Sequence, residues 1–201
     1  MSSASIDHLP KRLQQQIQFI LEIDKLKHVI RRTPLLDRSR RENDAEHSWH
    51  LAMMVMIFSE YAPQELNILR VLKMVLVHDI VEIDAGDMFI FGTAEEFAYK
   101  AQAELSAAKR IYGILPEDLA YELMGLWQEF EERVTPEAKF AAAIDRLQPM
   151  LHNYFTDGGT WVEFNLSIEK IKQSQEPIKD SSLELWDLID GLTTLFHINT
   201  K

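Results

Sequence analysis

The segment ILRVLKMVLVHDIVEI, residues 68–83, constrains the fold more than any other. Ile68, Leu69, Val71, Leu72, Met74, Val75, Leu76, Val77, Ile80 and Val81 leave a helix almost no polar face, and such a helix belongs near the centre of its domain. The spacing predicts a helix over about 64–83. His78, Asp79 and Glu82 lie inside it, with Glu82 four residues after the histidine and three after the aspartate, so all crowd one side. An unpaired carboxylate in apolar surroundings is strongly disfavoured. A divalent cation removes the difficulty by turning burial into ligation.

The rest of the chain also reads as nearly all α, because apolar residues recur at helical spacing and glycine and proline are scarce. A first helix is expected over about 10–27, followed by a loop with basic residues and Pro34. A second lies within 42–61 and stops at Pro63. A loop from about Asp84 through GDMFIFGT leads to a helix over 94–112 that ends at Gly113. Pro116 suits the first turn of the next, which reaches about Arg133. Thr135 as N-cap and Pro136 at the first helical position open the helix of TPEAKFAAAIDRLQPMLHNYF. Pro149 has no N–H for the Asp145 carbonyl, so a bend is expected beside that carboxylate. TDGGT is a turn, and the last helix runs over about 181–197.

At 201 residues the chain has room for one domain with a substantial core. It contains no cysteine, which excludes a disulfide framework and thiolate chemistry. No apolar run reaches the ~18 residues of a membrane span, and the N-terminus lacks the apolar stretch of a secretory signal. The cytoplasm is the simplest location. A net charge of −11 argues against a nucleic-acid polymer as partner. Yet Lys25, Lys27, Arg31, Arg32, Arg38, Arg40 and Arg41 cluster within 25–41. Such a patch suits a small anion better than a duplex, although a solvated basic segment would read the same way.

Two further groups join the ionisable set. His47 stands in ENDAEHSWHLAMM, just before an apolar stripe, and Asp145 stands among small and apolar residues in KFAAAIDRLQPML. Taken singly, each has an ordinary explanation as a hydrogen-bonded histidine or an ion-paired aspartate. Taken together, His47, His78, Asp79 and Asp145 come from three helices and offer imidazole and carboxylate ligands of the kind that suit Mn, Fe, Co, Ni or Zn. His50 and His152 lie near these residues in sequence and fit packing or hydrogen bonding as well as ligation. Phe89, Phe91, Phe97 and Tyr99 could form a base-stacking wall, but such spacings more often mark core.

These residues resemble the H…HD…D pattern of the HD-domain superfamily of metal-dependent phosphohydrolases. RRTPLLDRSRRENDAEHSWHLAMM, VLVHDIVEIDAGD and AAAIDRLQPML are similar to the branch that includes the bacterial 5′-deoxynucleotidase YfbR, and to a bacterial group of HD-superfamily hydrolases. The similarity covers about 25–155. The resemblance implies an all-α HD-domain bundle over 1–201, with a motif-bearing core at about 25–155 and C-terminal helices at 160–199. It implies one divalent metal ion (Mn, Co, Fe, Ni, Zn or Mg) on His47, His78, Asp79 and Asp145, with Glu82 as the acid/base carboxylate beside the attacking water. It further implies that Arg32 holds the substrate phosphate, that Asp87 meets the sugar hydroxyl, and that the protein is a homodimer. In the YfbR branch a tryptophan follows the arginine and helps select deoxyribose; here the residue is Thr33.

The chemistry expected is removal of phosphate from a nucleoside 5′-monophosphate or a similar small phosphomonoester, a reaction extremely slow without catalysis. A metal acidifies its bound water and polarises a phosphoryl oxygen, a nearby carboxylate moves protons, and arginine offers a planar fork to phosphate. Arg31 and Arg41 follow Arg32 as candidates for that fork. Other readings are a triphosphate or cyclic phosphodiester hydrolase of the same superfamily, or a non-catalytic helical module that binds a metal or nucleotide.

Overall fold

A computed structural model describes residues 5–87 and 93–199. In chain order the helices are α1 (Lys11–Ile23), α2 (Asp44–Phe58), α3 (Ile68–Val77), α4 (Glu82–Ala85), α5 (Ala94–Tyr112), α6 (Glu117–Glu132), α7 (Pro136–Phe155), α8 (Gly159–Glu163), α9 (Ile168–Ser174), α10 (Glu176–Lys179) and α11 (Leu183–Asn199). Helix starts follow their capping residues. Asn43 accepts from the Glu46 amide at 3.0 Å while the Glu46 carboxylate accepts from the Asn43 amide at 3.2 Å, a reciprocal box that opens α2. Thr135 caps α7, with Pro136 at its first position. Pro116 is the N-cap of α6 rather than a member of its first turn. The aromatic segment at Phe89 and Phe91, and the side chain of Phe97, lie outside the described residues; Tyr99 is exposed.

The axis of the bundle is α7, which packs against α2, α3, α6, α10 and α11. Ala138, Ala141, Ala142 and Ala143 let neighbouring backbones come close, and Phe140, Ile144, Leu147 and Met150 fill the space between. The helix runs on through Pro149. Val71, Met74, Val75 and Val77 of α3 are buried, but Leu69 and Leu76 face outward, so the apolar helix is covered on one side only. A similar surplus marks α2, where Trp49, Met53, Met56 and Ile57 are exposed opposite buried His47, Leu51, Met54 and Val55.

Two local departures from the helical expectation shape the site. The helix over 64–83 is not continuous: α3 ends at Val77, His78–Val81 wind as a 3₁₀ turn, and α4 resumes at Glu82. A 3₁₀ turn aligns residues three apart, so Asp79 and Glu82 come into register. The basic segment is not a plain loop. β1 (Ile30–Pro34) and β2 (Arg41–Asn43) form an antiparallel ribbon. Along β1, Arg31 and Thr33 face the protein while Ile30 and Arg32 face outward, the alternation of any strand.

Candidate active site

At the junction of α2, the 3₁₀ turn and α7, one ligand atom each from His47, His78 and Asp145 lies within 4.8 Å of the others. His47 Nε2 is 3.0 Å from Asp145 Oδ1, and His78 Nε2 is 3.7 Å from the same oxygen. Asp79 adjoins the group, with Oδ1 3.1 Å from His78 Nε2 and Oδ2 3.9 Å from His47 Nε2. Its Oδ2 also accepts from Arg31 Nη1 at 2.8 Å, and the same nitrogen reaches Asp44 Oδ1 at 3.1 Å.

Both imidazoles are held by their far nitrogens. His78 Nδ1 lies 3.0 Å from the Val75 carbonyl, an acceptor only, so it carries the proton and leaves Nε2 as a buried atom with no hydrogen bond of its own. His47 Nδ1 lies 3.2 Å from Gln148 Oε1. The amide orientation is set from behind: Gln148 Nε2 donates to Glu42 Oε2 at 2.8 Å, and a flipped amide would set oxygen against carboxylate. Glu42 therefore determines, through Gln148, that His47 Nδ1 is a donor and Nε2 faces Asp145. His50 and His152 belong to this supporting layer: Gln148 Nε2 lies 3.4 Å from His50 Nδ1 and 3.2 Å from His152 Nε2, and His152 Nδ1 reaches the Pro34 carbonyl at 2.9 Å.

The charge state follows from this geometry. Burial and the Arg31 charge push His47 down, but the carboxylates of Asp145, Glu42 and Asp79 outweigh them and lift it to about 9. Burial alone would raise Asp145, yet hydrogen bonds from His47 and His78 hold it well below the usual range. Burial and the Asp79 charge push Glu82 well above its ordinary value, against the opposing charge of Lys100. Lys100 Nζ donates to Glu82 Oε1 at 2.8 Å and leaves Oε2 buried without a partner. Asp44, raised to about 7 chiefly by burial, Glu82 and Asp87 bring one oxygen each within 4.8 Å of one another.

Among the residues singled out from the sequence, His47, His78, Asp79, Glu82 and Asp145 converge. Asp87 joins Glu82 and Asp44, and Thr33 is buried on the inner face of β1. Arg32 lies on the outer face of the strand, 5.2 Å above the Phe164 ring. Its neighbour Arg31 enters the site instead. Arg38, Arg40 and Arg41 pair with Asp157, Glu46 and Glu163 at the surface. Asp44, Glu42, Gln148 and Lys100 were not foreseen. The one signal available was spacing: Asp44 stands three residues before His47 and Gln148 three after Asp145, hence on the same helix faces.

An imidazole-and-carboxylate centre thus lies buried where helices of an all-α bundle meet, with an HD pair on a 3₁₀ turn. The chain belongs to the HD domain family, whose profile matches residues 23–186. It is 34% identical over 137 residues to the human (Homo sapiens) 5′-deoxynucleotidase HDDC2, covering 67% of this chain and 65% of that protein. It is 32% identical to the Mus musculus protein of the same name over 137 residues, 67% of this chain and 66% of the relative. The chain thus spans just under two thirds of the length of the curated relatives it matches. Among solved structures, a predicted metal-dependent phosphohydrolase from Magnetospirillum magnetotacticum MS-1 superposes with a TM-score of 0.87 at 47% identity, covering 93% of this chain and 96% of that one. An HD-domain phosphohydrolase from Listeria innocua, 17% identical, shares the fold with a TM-score of 0.60 over 92% of this chain and 99% of that one.

Proposed function

We propose that the chain is a metal-dependent phosphohydrolase that releases phosphate from a nucleoside 5′-monophosphate or a similar small phosphomonoester, acting as a single cytoplasmic HD domain over 1–201. The named relatives support the class. The observation that carries it is the convergence of His47 and His78 Nε2 with Asp145 Oδ1 beside Glu82, at a point where a buried nitrogen has no hydrogen bond.

These residues fit a divalent cation, because both far nitrogens are already committed and both Nε2 atoms point into the centre, that of His78 without a partner and that of His47 once it gives up the proton it shares with Asp145. His47, His78 and Asp145 would hold one, with Asp79 as a fourth ligand, and Mn, Co, Fe, Ni, Zn or Mg satisfies that donor set. Such a cation polarises a phosphoryl oxygen and acidifies water bound to it. Glu82 moves the proton: Lys100 fixes Oε1, and the unpartnered Oε2 takes a proton from water or gives one to the leaving oxygen. Asp79 and Arg31 hold each other in position. Asp87 and Thr33 are the sugar-side residues of this reading. Thr33 is short where the YfbR branch has tryptophan, which supports acceptance of ribose as well as deoxyribose. The role assigned to Arg32 by resemblance requires its guanidinium to leave Phe164.

The test is phosphate release from a panel of ribo- and deoxyribonucleoside 5′-monophosphates with Mn²⁺ or Co²⁺. No release from any member, with metal bound, overturns the reading. Release of tripolyphosphate from a triphosphate, or opening of a cyclic diester, would move the protein to another branch of the superfamily.

The supporting layer yields its own expectation. Gln148→Leu keeps the helix but removes the acceptor for His47 Nδ1, and metal affinity falls about 10–100-fold by calorimetry. The double exchange Glu42→Gln with Gln148→Glu restores both hydrogen bonds and most of the affinity. The homodimer has a candidate face in Trp49, Met53, Met56 and Ile57, an apolar stripe at helical spacing on α2. Trp49→Glu with Met53→Glu is expected to yield a monomer by sedimentation, with turnover retained.

A further inference from the structure

A cavity of about 310 Å³ opens beside the candidate centre, lined by His78, Glu82 and Asp145 and also by Lys100, Arg133 and Arg146. Its cations differ in what they are already doing. Arg31 is tied to Asp79 and Asp44, and its Nε lies 3.7 Å from Glu42. Lys100 is tied to Glu82 at 2.8 Å and Glu104 at 3.1 Å. Among the described residues, Arg133 and Arg146 make no side-chain hydrogen bond or ion pair. The Nε of Arg133 is buried without a partner.

Neither arginine is explained by packing. Arg133 ends α6 in the left-handed region, φ 51°, where glycine or asparagine fits at less cost. Arg146 follows Asp145 on α7, and its side chain lines the same cavity as Arg133. Two like charges that line one cavity, both with unused planar donors, match the oxygens of a tetrahedral anion.

We propose that Arg133 and Arg146 are the anion-receiving side of this cavity and bind the phosphoryl oxygens of the substrate, and of the orthophosphate left after turnover. The proposal rests on the phosphohydrolase reading for its substrate, but the anion site can be tested without turnover. It assigns phosphate recognition to the ends of α6 and α7 rather than to the basic ribbon.

The experiment measures the Kd of inorganic phosphate for the metal-loaded protein by calorimetry. Arg133→Gln, Arg146→Gln and Arg146→Lys are compared with the wild type and with Arg12→Gln, whose arginine pairs with Asp118 at the surface. Loss of charge-assisted hydrogen bonds weakens phosphate about 10–100-fold in each glutamine variant at 133 and 146, less in Arg146→Lys, and not at all in Arg12→Gln. Melting curves identify a variant that fails to fold, and Arg133→Gln and Arg146→Lys then decide. Unchanged phosphate affinity in the folded variants overturns the proposal, as does absence of phosphate binding to the wild type. Arginine-dependent binding without release from any monophosphate leaves the anion site standing and sinks the hydrolase reading alone.

Discussion

Replacing Glu82 with glutamine lowers kcat about 10²–10⁴-fold and leaves metal affinity nearly unchanged. The substitution is isosteric, and an amide oxygen still accepts from Lys100 at the Oε1 position. What is lost is the ability of the unpartnered Oε2 to carry a proton. Stability moves in the opposite direction. Glu82 titrates above its unfolded value because of burial and Asp79, so its contribution is favourable at low pH and is lost as pH rises through the folded value. The variant sheds that loss and melts higher than the metal-free wild type at alkaline pH. A kcat within threefold of the wild type, with metal confirmed, would remove Glu82 from the chemistry.

Asp145→Asn has the second large effect: metal affinity falls by more than the roughly 100-fold expected of an outer-layer residue, and phosphate release disappears with it. A single oxygen of this carboxylate, Oδ1, lies 3.0 Å from His47 Nε2 and 3.7 Å from His78 Nε2. In the metal-free protein it also keeps a proton on His47, whose folded value of about 9 lies above its unfolded one. That pair therefore stabilises fully below about pH 6.5, the unfolded histidine value, and progressively less as pH rises towards 9. Metal must displace the same proton, so wild-type affinity should rise across this interval, with proton release visible as a buffer-dependent heat. Asp145→Asn flattens the metal-free stability curve there. A wild-type metal affinity independent of pH between 6.5 and 9 would contradict the assignment of His47.

The centre was legible because its residues break the local pattern: a histidine and carboxylates inside aliphatic runs have few cheap explanations. What surrounds it was hidden for equally physical reasons. The 3₁₀ turn at His78–Val81 leaves no mark in a row of helix-compatible side chains. The ribbon was invisible because its strands are short and rich in arginine, with no apolar alternation to announce them. Without the strand, nothing distinguishes Arg31 from Arg32; with it, adjacent residues must face opposite ways, and only Arg31 reaches Asp79. Glu42 and Gln148 carry no mark in the sequence of the burial that the folded chain imposes on them.

The ribbon is also fastened from outside. Arg38 meets Asp157, Arg41 meets Glu163 at 2.7 Å, Arg32 covers Phe164, and His152 holds the Pro34 carbonyl at 2.9 Å. Behind that seam, Gly158 turns at φ 99° so closely under Phe196 of α11 that an added Cβ would come within 2.7 Å of the ring. A chain trimmed after Phe155 would keep every candidate ligand yet set loose the lever that carries Arg31. The motif and the machine have different lengths: the stretch that names the chemistry is shorter than the stretch that holds it in working order.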